Sequence, residues 1–134
     1  MLSAGGAALG LAFGRVFLAY MRRLLEVLPV GIPTWAEGTE WLQLDLAAPT
    51  RVSATSVYWF DDTGRGACHL PEDWRILYRD VDGQFQPVKN RGAYGTEKDK
   101  FNKVEFEPVT TTAIKLEIDL QKEWSAGVQE VVIE

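Results

Sequence analysis

From Trp41 to the end of the chain, apolar and polar residues alternate with a period of two. The clearest run sets Ile114, Leu116, Ile118 and Leu120 against Lys115, Glu117 and Asp119. Leu42, Leu44 and Leu46 share one face of the segment 41–46, and Trp74, Ile76 and Tyr78 share one face of 74–79. Val52 to Phe60 is β-branched and aromatic, Phe85 and Val88 mark a short strand, and Val104 and Phe106 alternate with Lys103, Glu105 and Glu107. Val128 to Ile133 closes the chain. A period of two buries one face of a strand and wets the other, as antiparallel sheets do. Asp82-Gly83 is a hairpin signal between two of these runs. Short strands separated by turns over roughly 100 residues predict an all-β, antiparallel β-sandwich of jelly-roll type, spanning residues 31–134.

The pattern before Pro29 is different. Leu2 to Gly14 carries no charge, and from Val16 to Leu28 the apolar residues Phe17, Tyr20, Met21, Leu24 and Leu28 recur at helical spacing, with Arg15, Arg22 and Glu26 on another face. Residues 1–30 therefore read as an apolar to amphipathic leader, helical or unstructured, with Pro29, Gly31 and Pro33 as its end. Three readings compete. A secretory signal lacks a positive charge ahead of its apolar run. A membrane span over Leu2–Met21 contains Arg15 and many glycines. The third is an amphipathic helix or a leader foreign to the fold. Residues 1–28 are the part of the chain that a membrane would meet.

If each strand runs antiparallel to the one before it, the connections sort by length. One end of the sandwich receives 47–51, 80–83 and 108–111, all short; the other receives 31–40, 61–73, 89–102 and 121–127. Long loops without secondary structure carry function more often than short turns do. These loops hold Trp35, Asp61, Asp62, Arg65, His69, Tyr94 and Trp124. That chemistry suits a neutral polar ligand such as a sugar. Its C–H faces pack on aromatic rings, and its hydroxyls bond to carboxylates and guanidinium. Arg65, between Gly64 and Gly66, sits where a fork of donors can approach a ligand.

Composition narrows the field. The chain has 134 residues, 46% hydrophobic and 25% charged, enough for one domain with a core. A net charge of −5 provides no basic patch for nucleic acid. Cys68 is the single cysteine and His69 the single histidine, so neither an internal disulfide nor zinc-type ligand spacing is present. No cofactor is implied. Asp61 and Asp62 could ligate a structural calcium, cap a turn or bind hydroxyls, and calcium is not favoured because it wants six to eight oxygens from a shaped loop. Catalysis is unsupported: no Ser-His-Asp or Cys-His pattern stands out, and the sequence places no pair of carboxylates at a glycosidase separation.

Several motifs in order resemble one family. Pro71-Glu-Asp-Trp-Arg-Ile-Leu-Tyr78, Asp82-Gly83, Phe85 and Val88, then Phe106 to Ile118, then Gly127-Val-Gln-Glu-Val131 resemble discoidin-like domains, also called coagulation-factor type C domains. The run Val57-Tyr-Trp-Phe-Asp-Asp62, with Gly38-Thr-Glu-Trp41 before it, is similar to the C-terminal module of bacterial glycoside hydrolases of the β-L-arabinofuranosidase type. The resemblance covers residues 34–134 and implies a galactose-binding-like fold. By that resemblance the chain is a non-catalytic carbohydrate-binding module, secreted or periplasmic, accessory to a glycoside hydrolase catalytic domain and binding glycan through its end loops. The alternative is a structural module that packs on a catalytic domain. The family's first strand and its Asp-Gly loop have no counterpart in residues 1–30, so an edge of the sheet is expected to be open or covered by 15–28.

The ligand-contact set read from the loops is Trp35, Asp61, Asp62, Arg65, Tyr94 and Trp124. Trp41, Trp59 and Trp74 fall inside strands and are expected in the core. At least one of Asp61 and Asp62 is expected to make a turn, His69 to be a structural loop residue, and Asn102 to satisfy loop backbone.

Overall fold

The computed structural model describes residues 39–134 in full and the backbone of 6–10 and 15–21. Seven strands follow in order: β1 (Gly6–Gly10), β2 (Arg15–Met21), β3 (Thr39–Phe60), β4 (Asp73–Arg79), β5 (Phe85–Pro87), β6 (Phe101–Asp119) and β7 (Ala126–Ile133). Hydrogen bonding links them in the order β2-β7-β3-β6-β4-β5, with β1 beside β3.

The long strands β3 and β6 each pass through both layers. The first half of β3 pairs with the second half of β6, Thr39 opposite Asp119 and Asp45 opposite Ala113. The second half of β3 pairs with the first half of β6, Thr55 opposite Val104. Between them the register shifts twice, between Asp45 and Thr50 and between Val52 and Ala54. These irregularities turn the chain from one layer to the other, around the exposed Ala47, Ala48 and Pro49. They also reset which residues face inward: Leu42, Leu44 and Leu46 before the corner, Val57 and Trp59 after it, all in one core cluster. One layer is thus β5-β4-β6-β3-β1 and the other is built from β6, β3, β7 and β2.

The core confirms the alternation read from the sequence. Ile114, Leu116 and Ile118 are fully buried with Ile76, Trp74, Trp59 and Phe106. Truncating any one of the large ones to alanine costs roughly 2–5 kcal/mol, because close packing leaves a cavity behind. The hairpin at Asp82-Gly83 forms as expected: Gly83 has φ 82°, the left-handed region that favours glycine. Asp80 Oδ1 accepts from the N–H groups of Asp82 and Gln84.

Three expectations are corrected. The segments 47–51 and 108–111 are corners within single strands, not turns between strands. Trp41 is not in the core. Glu40 and Leu42 on either side of it face inward, so period two sends Trp41 to the outer face, where it is half-exposed. Within 15–28, the described part Arg15–Met21 is a strand, not a helix: it runs antiparallel to β7, Val16 opposite Val131 and Tyr20 opposite Gly127. An edge strand of a sandwich offers a row of unpaired N–H and C=O groups, and pairing with it outweighs the weak helical preference of a segment rich in valine, phenylalanine and tyrosine. β1 covers the other exposed edge, running parallel to β3 with Gly6 opposite Trp41. The edge expected to be open or covered is therefore covered by strands. Among the described residues no helix is long and apolar enough to cross a membrane.

Candidate functional site

Three long loops, 61–72, 88–100 and 120–125, meet at one end of the sandwich. Cys68 and Ser125 form a parallel bridge. Ser125 N–H donates to Ala67 O at 2.9 Å and His69 N–H to Ser125 O at 2.8 Å. Gln121 Nε2 donates to Leu70 O at 2.9 Å. The loop 88–100 joins them through Lys98, whose Nζ lies 3.7 Å from Asp61 Oδ1.

The two adjacent aspartates shape the first loop. Asp62 Oδ1 accepts from Cys68 N–H at 2.8 Å, while its carbonyl accepts from the N–H groups of Arg65 and Gly66. A Cβ on Gly66 would sit 1.9 Å from Asp62 Oδ2, so the chain folds this tightly only with glycine there. Asp61 is turned inward, its side chain 2% exposed. Its Oδ1 accepts from Thr63 N–H at 3.0 Å and its Oδ2 from Leu70 N–H at 3.1 Å. Both aspartates act as loop-formers, the role expected of at least one of them.

Asp61 Oδ2 also lies 3.3 Å from His69 Nδ1, and Thr63 Oγ1 lies 2.5 Å from the same nitrogen. A hydroxyl–imidazole–carboxylate relay needs its partners on opposite ring nitrogens. Here both sit on Nδ1, so the group orients the ring rather than activating the hydroxyl. The oriented ring stacks on Trp124, with centroids 4.9 Å apart and planes 33° from parallel. Trp124 is half-buried, its backbone N–H donated to Gln121 O at 3.1 Å.

Burial pushes the Asp61 carboxyl up, but the Thr63 backbone and hydroxyl, the Leu70 N–H and the charge of His69 outweigh it, leaving it below the usual 3.8. A carboxylate with a lowered folded-state pKa contributes stability that is complete above the unfolded value and is lost as pH falls through the folded one. The loop 61–72 is therefore expected to loosen at pH values below about 3.8. Thermal melts and amide exchange from pH 5 to pH 2 check this. An Asp61→Asn protein with the same acid profile as the parent would sink it.

The loop 93–100 is held from below. Trp59 and Trp74 both donate their indole N–H to Gly95 O, at 3.3 and 2.8 Å. Asn102, 5% exposed, accepts from Glu97 N–H at 2.9 Å and donates to Glu97 O and Lys100 O at 3.0 and 3.2 Å. This is the backbone-satisfying role expected of it. Tyr94 packs edge-on against Trp74, and its hydroxyl accepts from Ile76 N–H at 3.3 Å. Burial raises the Tyr94 phenol above its usual 10.0.

Of the residues singled out from the sequence, the structure brings Asp61 and Trp124 into one cluster through His69, which the loop-contact set had omitted. Asp62 is tied into its own loop, and Tyr94 into the sheet margin. Arg65 is exposed at the tip of 62–68, where no carboxylate pairs with its guanidinium among the described residues. Trp35 lies outside the described residues. The only cue to His69 was its place in a long loop, because stacking partners separated by this much sequence leave no local pattern. Among the described residues no group of three or more His, Cys, Asp or Glu side chains is placed to hold a metal ion.

A two-layer jelly roll with tight corners at one end and a ring-bearing loop cluster at the other defines a β-sandwich module of the galactose-binding-like class. The chain belongs to the F5/F8 type C family, in its NedA-like, galactose-binding domain group, which matches residues 33–116. A search of curated proteins found no significant match. Similar solved structures include a pectin-binding carbohydrate-binding module (22% identity, TM-score 0.55, 74% of this chain and 68% of that one). A chitosan-binding module derived from a chitosanase/glucanase of Paenibacillus sp. IK-5 is also similar (10%, 0.57, 75% and 71%). The Streptococcus pneumoniae beta-galactosidase BgaA aligns over 91% of this chain and 97% of that one, at 10% identity and TM-score 0.65. At these identities the likeness is one of fold.

Proposed function

We propose that the chain is a non-catalytic carbohydrate-binding module whose loop end binds a glycan, with Trp124 as the stacking platform. The observation that carries this reading is the Trp124–His69 stack, buttressed by buried Asp61, with the exposed Lys98 ammonium beside that aspartate. A rigid aromatic ring, held on one side and open on the other, is what a sugar's C–H face needs. The single histidine has both its partners on one nitrogen, which argues against a histidine-activated hydroxyl nucleophile. The run Val57 to Asp62 supports the finer reading of an accessory module of a bacterial glycoside hydrolase of the arabinofuranosidase type, secreted or periplasmic. The family, and the pectin- and chitosan-binding modules that share the fold, support glycan as the partner.

Binding at an open loop site is expected between about −4 and −8 kcal/mol, millimolar to micromolar. Trp124→Ala is expected to weaken it by about tenfold or more, since stacking on an aromatic ring carries more than hydroxyl bonds that merely replace those to water. Titration calorimetry against galactan, arabinan, pectin and chitosan checks this, with circular dichroism confirming the fold. If the Trp124→Ala protein binds like the parent, the loop end is not the site. If the parent binds none of these polymers, the loops contact protein and the module is structural.

A further inference from the structure

We propose that the outer face of the β5-β4-β6-β3-β1 layer holds a second carbohydrate-contact surface, which takes the continuation of a neutral polysaccharide chain from the loop end. This rests on the loop-end reading for the kind of ligand.

The surface follows from strand register. With Leu42, Ile76, Leu116 and Ile118 facing the core, Thr39, Trp41, Arg75, Glu117 and Asp119 face outward. Glu117 lies directly between Trp41 on one side and Arg75 on the other, and Thr39 is opposite Asp119. Thr39, Arg75, Glu117 and Asp119 line a depression of about 340 Å³. Trp41 stands beside it, its ring set by the Lys115 ammonium 5.0 Å from its centroid; the same ammonium lies 5.1 Å from Phe85. An exposed ion pair such as Arg75–Glu117 contributes less than about 1 kcal/mol to stability. It does not account for an indole on the wet side of a sheet.

The polar groups are half-used. Arg75 directs both Nε and Nη2 to a single oxygen, Glu117 Oε1, at 2.6 and 2.5 Å. Thr39 Oγ1 donates to Asp119 Oδ1. Glu117 Oε2, Asp119 Oδ2 and Arg75 Nη1 make no hydrogen bond among the described residues. Two free acceptors and one free donor, side by side next to a ring, match the alternating donors and acceptors of a vicinal diol. On this face the carboxylates of Asp73, Glu117 and Asp119 outnumber the cations of Arg75 and Lys115, which disfavours an anionic sugar, so the class is neutral hexosan or pentosan rather than uronan. The depression lies at the loop end of the layer: Asp119 ends β6 and leads directly into 120–125, the loop that carries Trp124.

The test is calorimetry on the full chain with linear galactan and arabinan, their disaccharides and hexasaccharides, and polygalacturonate. The parent is expected to bind a hexasaccharide more tightly than the disaccharide. Arg75→Ala and Trp41→Ala are expected to weaken hexasaccharide binding about five- to tenfold while leaving the disaccharide unchanged. Trp124→Ala is expected to weaken both. Arg75 is exposed, so its variant keeps the fold if Trp41→Ala does not. Equal affinity for short and long chains, an Arg75→Ala protein that holds the hexasaccharide like the parent, or polygalacturonate bound more tightly than galactan and arabinan would each overturn the second surface. Any of these results alongside disaccharide binding that Trp124→Ala abolishes would leave the loop-end reading standing alone.

Discussion

Deleting residues 1–28 is expected to lower the melting temperature by roughly 10 °C or more and to turn the protein into dimers or larger species. The deletion removes β1 and β2 together. Trp41–Asp45 of β3 then loses its parallel partner, and Ala126–Val132 of β7 loses its antiparallel one. Each ladder bond nets only about 0.5–1.5 kcal/mol, but the loss recurs along two strands at once. Both layers also gain a bare edge, and bare edges pair with other chains. Light scattering with chromatography, together with thermal melts of a chain that begins at residue 29, would show it. A monomer that melts like the parent would mean that the two strands lie outside the cooperative unit.

Among the polar side chains, Asn102→Ala is the substitution expected to cost most, on the order of 3 kcal/mol. One side chain accepts from Glu97 N–H and donates to the carbonyls of Glu97, Lys100 and Val57. Alanine leaves these groups without a partner in a place that water reaches poorly, and unmade bonds cost more than made ones gain. Asn102→Asp keeps the shape and one acceptor but faces three carbonyl oxygens with a negative charge, so it is expected to be no milder. Urea denaturation of both variants is the check. A loss below about 1 kcal/mol for either would mean that the loop 93–100 is held by the tryptophans and not by Asn102.

The sandwich was legible because period two is a direct consequence of a half-buried strand. Ile114 to Leu120 show it without interruption, and the structure buries the residues it marks. What was not legible is continuity. Pro49 and Pro108 read as breaks, yet the chain keeps pairing around both corners, since a bulge absorbs the irregularity without ending the ladder. Nor was β2 legible: its helical spacing is a property of its own side chains, while its strand state is decided by the edge of β7, over a hundred residues away. The same limit governs the site. The long loops pointed to Trp124 and the aspartates. That Asp61 faces inward and props His69 depends on backbone N–H groups of Thr63 and Leu70, whose positions no residue type announces. Trp41 was misplaced for a simpler reason: its place inside a strand suggested the core, but its place in the alternation with Leu42 and Leu44 already put it outside.

The pair of indoles beneath the loop end has an optical consequence. Trp59 and Trp74 lie 5.4 Å apart at 77°, and both point their N–H at the Gly95 carbonyl. Two chromophores so close and so fixed share their excited states. Their strong far-ultraviolet indole band should therefore give an exciton couplet in the dichroism rather than the sum of two isolated bands. Because Gly95 belongs to the loop while both rings belong to the core, lifting that loop would unlock the ring orientations before any strand separates. The molecule thus carries its own chromophoric gauge of whether the 93–100 segment is seated, readable without a label.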